Sequence, residues 1–182
     1  MDGHQKQRNE SARMIEDALF ELMKEKAYAQ ITVTEIVKRA DVSRRTFYRI
    51  YKEKDEVLRS FFGKLCREYE RTVLALPYYD VAWIARDFFC FWHGYRELLL
   101  LFHKRGMEEM LYYEISRVAV EVVGGRMKGA ECENAAETEC FAYYSAGGFL
   151  LLLWRWIHLG MKGEPEEYAK EVSGAIEKFV ER

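Results

Sequence analysis

The chain has little of the residue types that interrupt helices or cross-link small folds. Its 182 residues contain only two prolines, and its four cysteines include no Cys-x-x-Cys pair. No stretch alternates apolar and polar residues over a useful length, so the pattern predicts no strands. With 49% hydrophobic residues the chain can build a sizeable core. These features together predict an all-α protein.

The sequence also lacks the usual marks of secretion or membrane insertion. Residues 1–11 are polar, and no apolar segment of a signal peptide follows them. The apolar run over residues 141–160 contains Arg155, His158 and a glycine pair. A spanning helix needs about 20 mostly apolar residues, so we interpret this run as a buried or interface helix. Unpaired cysteines are typical of a reducing compartment, and we expect a cytoplasmic protein without a membrane partner.

Catalytic and metal-binding patterns are weak. Cys90 and His93, with His103 ten residues further on, offer only one loose pair, whereas a structural zinc site uses four ligands. There is no Gly-x-Ser-x-Gly and no acidic dyad. We therefore expect no metal, no cofactor and no enzymatic activity.

A net charge of −2 conceals a basic segment. Between Ile31 and Lys54 the chain carries seven basic and three acidic residues, a net charge of +4. Contacts to phosphate act within one Debye length, about 8–10 Å at moderate salt, so a local patch is sufficient for nucleic acid.

Residues 31–58 have the pattern of two short helices, a tight turn and the start of a third helix. Thr32 and Glu35 form a Thr-x-x-Glu capping box, which predicts a helix start. Asp41 tolerates turn conformations, and Ser43 is a good N-cap for the next helix. That helix carries arginines and a tyrosine, which suit the major groove of DNA.

The same segment resembles the DNA-binding domain of the tetracycline-repressor (TetR) family of bacterial transcription regulators. The residues that match the family's pattern, in order, are Thr32, Val33, Ile36, Ala40, Val42, Ser43, Thr46, Phe47, Tyr48, Tyr51, Lys54, Val57 and Leu58. Asp41 stands where the family usually has glycine, and Tyr51 where it usually has phenylalanine. The resemblance is strong over residues 9–62 and mostly architectural beyond them.

This resemblance implies that the segment binds double-stranded DNA at a palindromic operator. A charged helix face is by itself more often merely solvated, so the interpretation depends on the family match. Arg44 and Arg45 would reach base edges early in the recognition helix. The full set of candidate DNA contacts is Thr32, Thr34, Arg44, Arg45, Thr46, Tyr48, Arg49 and Lys54.

We expect three regions: a helix-turn-helix DNA-binding domain over residues 1–53, a linking helix over 54–77, and a helical effector-binding and dimerisation domain over 78–182. Residues 1–8 are polar and aperiodic, and we expect them to be disordered. Further helices are expected over about residues 9–26, 80–95, 96–104, 107–127 and 166–180, with another ending at residue 160.

The C-terminal region is rich in aromatic residues. Single rings at helical spacing are usually core, but aromatic walls with a few polar donors are typical of small-ligand sites. The family holds its effector in this region. The candidate ligand-binding residues are Trp83, Phe88, Trp92, Tyr95, Phe102, Tyr112, Tyr113, Tyr143 and Tyr144.

The last two expected helices carry more apolar surface than a monomer of this size needs. In the family these helices pair with their symmetry mates, and a twofold dimer would place two recognition helices about 34–36 Å apart. The candidate interface residues are Phe149, Leu150, Leu153, Trp154, Tyr168, Val172, Ile176 and Phe179.

The sequence thus predicts a dimeric, sequence-specific DNA-binding regulator, by default a repressor, whose operator binding is relieved by a small apolar or aromatic ligand. The alternative is a ligand-independent regulator or activator that works through a protein partner docked on the C-terminal domain. An enclosed cavity there would favour the first, and a packed core with an exposed apolar patch the second.

Overall fold

The computed structural model describes residues 3–74, 80–110, 112–113, 115–116, 120 and 134–180. Every regular element within these ranges is helical, as predicted. The helices are α1 (Gly3–Glu25), α2 (Val33–Arg39), α3 (Arg44–Ile50), α4 (Lys54–Leu74), α5 (Val81–His93), α6 (Arg96–Lys104), α7 (Ala135–His158) and α8 (Pro165–Val180), with a 3₁₀ helix over Tyr28–Gln30. None of the helices described is long and apolar enough to cross a membrane.

Two compact units make up the chain, Met1–Lys64 and Leu65–Arg182. The division falls within α4, the helix that the sequence suggested as a separate linking region. The first part of α4 therefore belongs to the N-terminal unit and the rest to the C-terminal unit. The expected helix over residues 107–127 lies largely outside the described residues, although those described between 108 and 120 are helical.

α1 begins earlier than expected. Residues 3–8 are helical, so the expectation that they are disordered was wrong. Every residue from 3 to 10 is exposed, and the segment therefore extends an amphipathic helix into solvent. Its Gln, Lys and Arg residues are good helix formers, but without an apolar stripe the periodicity of the sequence could not detect it.

The core of the N-terminal unit joins one apolar face from each of four helices. Ile15 and Leu19 of α1, Ile36 of α2, Phe47 of α3 and Leu58 of α4 are all 0% exposed. Burying a side chain of this size stabilises a fold by roughly 1.5–3 kcal/mol. The rotation of α2 and α3 about their own axes is therefore determined by this core.

A buried carboxylate adds a polar connection to the same unit. Glu16 on α1 is 5% exposed and accepts hydrogen bonds from the Tyr51 hydroxyl at 2.7 Å and the Lys64 ammonium at 2.5 Å. Burial, together with the bond to Glu16, raises the pKa of Tyr51. A buried charge needs such partners. The hydroxyl that Tyr51 has and phenylalanine lacks thus has a specific acceptor.

The C-terminal unit is built around aromatic packing. α5 packs on α8, and α6 packs on α7. Phe89 and Trp156 are at most 1% exposed, and the Trp156 ring stacks on Tyr168 with centroids 4.8 Å apart. Arg96 donates to the carbonyl of Gly160 at 2.8 Å, which fastens the turn after α7 to the start of α6.

The turn between α2 and α3 gives a stability prediction. Asp41 has a φ of 51°, a left-handed conformation at the position where the family usually has glycine. We expect Asp41→Val to lower the free energy of unfolding by about 1–2 kcal/mol, because a β-branched side chain is strained there. The matched variant Asp41→Gly should stay within about 1 kcal/mol of the parent. Urea unfolding followed by circular dichroism measures both, and equal losses would contradict the assignment of strain.

Candidate nucleic-acid interface

The first helix of the interface is capped as predicted. The Glu35 amide donates to the Thr32 hydroxyl at 3.3 Å, and the Thr32 amide donates to the Glu35 carboxylate at 3.0 Å. Lys26 binds the same carboxylate at 2.5 Å. The Lys26 ammonium, followed by the two bonds from Thr32, lowers the pKa of Glu35 to about 2. The start of α2 is therefore held by charge as well as by hydrogen bonds.

α3 presents a basic face, which we define as Arg44, Arg45, Tyr48 and Arg49. The Ser43 hydroxyl caps the helix by accepting from the Thr46 amide at 3.0 Å. All four residues of the basic face are exposed, Tyr48 at 56%. Phe47 on the opposite side is completely buried. The helix is thus seated on its apolar side and leaves its cationic side open.

Two of the candidate contacts touch each other. The Arg44 guanidinium donates to the Thr34 hydroxyl on α2, so the two helices bring these side chains to one surface. Thr46 is half-buried, and its hydroxyl lies 2.9 Å from that of Ser43. Thr32 is exposed beside its capping partner. The candidate residues on α2 and α3 therefore form one surface, with Thr46 at its edge.

Lys54 has a structural role that the sequence did not suggest. Its ammonium donates to the carbonyls of Tyr28 at 2.8 Å and Ile31 at 2.9 Å, with a third carbonyl, of Ala29, at 3.4 Å. An ammonium has three donors, so none is left for a phosphate. The ammonium also lies 4.4 Å from the centroid of the Tyr28 ring. Lys54 therefore fastens the 3₁₀ helix to the start of α4, and we leave it out of the contact surface.

Arg39 also forms an ion pair within the chain. Its guanidinium donates to both carboxylate oxygens of Glu25, at 2.8 and 3.0 Å. This hydrogen bond with Arg39 lowers the pKa of Glu25. The +4 charge counted between residues 31 and 54 included both Arg39 and Lys54. Of the five other basic residues in that segment, three, Arg44, Arg45 and Arg49, lie on α3.

Comparison with known proteins identifies this domain. Residues 15–61, which contain the capping box, the turn and the whole of α3, match the model for bacterial regulatory proteins of the tetR family. Over these residues the chain is similar to bacterial regulatory proteins of the tetR family. The resemblance inferred from the sequence is confirmed, and with it the assignment as a DNA-binding transcriptional regulator.

A solved structure extends the likeness to the fold of the whole chain. The dihydroxyacetone kinase operon activator DhaS superposes with a TM-score of 0.63, covering 94% of this chain and 96% of that chain. The identity between the two is 17%, so this likeness concerns the fold alone. No curated protein sequence matches the chain.

The nine aromatic residues expected to bind a ligand do not all come together in one site. Phe88, Trp92 and Phe102 are at most 4% exposed and belong to the core. Trp83 and Tyr144 are 53% and 82% exposed. The reason is that ring density along a sequence does not specify which side of each helix a ring occupies.

Tyr95 is hydrogen-bonded to α4, whereas Tyr112, Tyr113 and Tyr143 line a groove. The Tyr95 hydroxyl donates to Glu68 at 3.4 Å. The groove has a volume of about 470 Å³ and is open to solvent. Its lining residues are Tyr112, Tyr113, Ser116, Val120, Tyr143, Ala146, Gly147 and Leu150.

The residues expected at a dimer interface need a similar correction. Leu150, Leu153 and Val172 are at most 6% exposed within a single chain, so they pack in its own core. Phe149, Trp154, Tyr168 and Ile176 are half-buried, and the side chain of Phe179 lies outside the described residues. The Tyr168 hydroxyl donates to the Leu152 carbonyl at 3.0 Å, an internal bond between α8 and α7. Since every residue from 149 to 154 is apolar, the sequence did not reveal which face of α7 is buried.

Two exposed arginines give a matched test of the basic face. Arg45 has its guanidinium open to solvent, whereas Arg39 is held by both oxygens of Glu25. We expect Arg45→Ala to weaken binding to an operator selected from random duplexes by about 1–3 kcal/mol and to relax base preference. Arg39→Ala should leave DNA affinity within about twofold, since its guanidinium is directed to Glu25 on α1 and is not part of the basic face of α3.

Fluorescence anisotropy at two salt concentrations measures both variants, and the slope of log affinity against log salt reports phosphate contacts separately. Equal losses for Arg39→Ala and Arg45→Ala would refute the proposed orientation of α3.

Proposed function

We propose that this chain binds a palindromic operator as a homodimer and that the basic face of α3 reads base edges in the major groove. One observation carries the proposal: Arg45, Tyr48 and Arg49 are exposed on the side of α3 opposite the buried Phe47. Arg45 and Arg49 are one turn apart and project in the same direction. A guanidinium that bonds O6 and N7 of guanine together contributes about 1–3 kcal/mol of discrimination.

The surrounding side chains suit the DNA backbone. Thr34 on α2 and Tyr48 on α3 expose hydroxyl groups, which donate to phosphate oxygens, whereas the Thr32 hydroxyl already donates to the Glu35 carboxylate at 2.9 Å. Arg44 is oriented by its bond to Thr34, and this bond reduces the conformational freedom that it would lose on binding. These contacts would position α3 in the groove while Arg45 and Arg49 supply sequence preference.

An exposed apolar stripe on α7 supports the homodimer. We define the stripe as Phe141, Tyr144 and Leu151 of α7 with Leu159, the residue that caps its C-terminus, and they are 48%, 82%, 63% and 50% exposed. Their spacing of three, seven and eight residues puts them on one face of a helix with 3.6 residues per turn. Gly148 and Arg155 are exposed on the same face between them, so the apolar surface is interrupted by one charge. Exposed apolar surface of this kind marks interaction sites. A second copy presenting the same stripe would give a self-complementary twofold interface.

The groove beside Tyr143 is where we propose that a small ligand binds. Its volume of about 470 Å³ lies in the range of about 300–1,000 Å³ typical of small-molecule sites. Tyrosine rings offer apolar faces and hydroxyl groups together, which suits an aromatic ligand with one or two polar atoms. If the ligand-bound conformation holds the operator less tightly, the ligand relieves repression, with a coupling of about 1–3 kcal/mol.

A second candidate is an activator that works through a protein partner. Two observations favour it: the core of the C-terminal unit is packed with rings, and the apolar stripe of α7 is open to solvent. The structural neighbour DhaS is itself described as an operon activator. On this alternative the stripe receives another protein and no ligand is needed.

The homodimer is tested by placing a charge in the stripe. We expect Leu151→Glu to convert the dimer to a monomer, since it replaces an apolar contact with a carboxylate that loses its hydration in the interface. Trp83→Glu is the matched control, because Trp83 is also a large exposed apolar residue, but on α5. Light scattering at micromolar concentration measures the mass. A monomeric parent would remove the homodimer proposal and leave the stripe to the partner alternative.

The ligand site is tested by filling the groove from Gly147. A Cβ at this position meets no atom within 4 Å, so a larger side chain projects into the groove without disturbing the helix. A thermal-shift screen with lipophilic aromatic compounds should yield a ligand that stabilises the parent and Gly147→Ala but not Gly147→Leu. Stabilisation of all three proteins by the same compound would exclude this groove as the site.

A further inference from the structure

Three metal-ligating side chains meet in the C-terminal unit. His103 lies near the end of α6, Glu108 begins the helical residues that follow, and His158 is the last residue of α7. One ligand atom from each lies within 4.8 Å of the other two. His103 Nδ1 is hydrogen-bonded to the Glu108 carboxylate, and the two imidazole centroids are 4.5 Å apart. Three separate points of the chain therefore converge on one small volume.

The orientation of His158 is the most informative part of this cluster. Its Nδ1 lies 2.9 Å from the Trp154 carbonyl oxygen, and a carbonyl can only accept, so Nδ1 carries the proton. In a neutral ring the lone pair is then on Nε2. That atom lies 3.7 Å from Glu108 Oε1, too far for a hydrogen bond. Two electron-rich atoms thus face each other across a gap that suits a cation.

We propose that His103, Glu108 and His158 bind a divalent transition-metal ion, with Zn²⁺ as the representative. Two imidazoles and one carboxylate are ligands that zinc accepts, whereas magnesium and calcium prefer oxygen alone. Ligands about 2.0–2.1 Å from a tetrahedral metal lie about 3.4 Å apart, close to the observed separation of 3.7 Å between His158 and Glu108. The ion would replace the direct hydrogen bond between His103 and Glu108.

The surroundings support this assignment. A backbone carbonyl that accepts from the far nitrogen of a histidine is a usual outer partner of a metal ligand, because it fixes the tautomer and the ring orientation. The Trp154 carbonyl has this relation to His158. With three protein ligands and partial exposure of all three side chains, one coordination position stays open to water or to a small anion.

Metal binding would also fix one wall of the groove. Trp154 lies between the proposed metal site and the groove. The centroid of its ring is 5.9 Å from that of His158 and 6.4 Å from that of Tyr112, which lines the groove. Glu108 and Tyr112 are one helical turn apart. An ion held by Glu108 and His158 would join the segment bearing Tyr112 to the end of α7. The inference concerns the C-terminal unit and does not depend on DNA binding.

The sequence suggested a different and weaker combination of metal ligands, Cys90 and His93 with His103. Cys90 and His93 do not join His103 in this cluster. The His93 ring instead stacks on Trp156 with centroids 5.5 Å apart. Glu108 and His158 are separated by 50 positions, a spacing that no short motif describes.

Cobalt titration tests the proposal directly. The tag-free full-length chain, freed of metal by a chelator, is titrated with Co²⁺ and followed in the visible range. We expect d–d absorption of a four-coordinate site that Zn²⁺ abolishes by displacement. His103→Gln, His158→Gln and Glu108→Gln should each lower the affinity about tenfold or more, while His4→Gln, altering an exposed histidine of α1, should not change it.

Three results would overturn the proposal. They are no d–d absorption with Co²⁺, unchanged affinity in both His103→Gln and His158→Gln, or thiolate-to-cobalt charge-transfer bands, which would indicate cysteine ligands instead. Glutamine preserves much of the hydrogen bonding, and melting curves without metal verify that each variant is folded. Zn²⁺ should raise the melting temperature of the parent and of His4→Gln. It should not raise that of His103→Gln, His158→Gln or Glu108→Gln.

Discussion

Phe47 has no exposed surface, and this burial determines how α3 is oriented on the N-terminal unit. Rotating a short helix with one fully buried aromatic ring would leave a cavity, which typically costs about 3–5 kcal/mol for a residue of this size. The arginines of the helix are therefore directed outward by an apolar interaction and not by any property of their own. The proposed DNA contacts of α3 therefore depend on hydrophobic packing against α1 and α2.

Electrostatic groups near this surface divide into two classes. Arg39 and Lys54 are bound by groups of the chain itself, a carboxylate in one case and backbone carbonyls in the other. Arg45 and Arg49 remain exposed on α3. Net charge over a segment adds both classes together, so it overestimates the charge that can meet a phosphate. On the proposed mode of binding, the paired cations hold the domain together and the exposed ones are left to contact DNA.

In the C-terminal unit one helix serves several surfaces at once. The buried side of α7 carries Leu150 and Leu153, its exposed side carries the apolar stripe, and its last residue is His158. The groove, which Gly147 helps to line, lies between these two sides of α7. The proposed ligand, partner and metal would therefore act on the same element. A change at any one of them would act on a helix that it shares with the other two.

Local patterns in the chain predicted much of the fold. The capping box at Thr32, the cap at Ser43 and the limits of α6 were confirmed, because each depends on interactions within about four residues. The exposed arginines of α3 followed from the same periodicity. The pairing of Arg39 with Glu25, the carbonyls around Lys54 and the meeting of His103 with His158 could not be predicted in this way. These contacts join residues distant in the chain, and only packing brings them together. The same holds for the buried face of α7, since an almost uniformly apolar helix has no polar side to reveal its rotation, and neighbouring helices alone determine it.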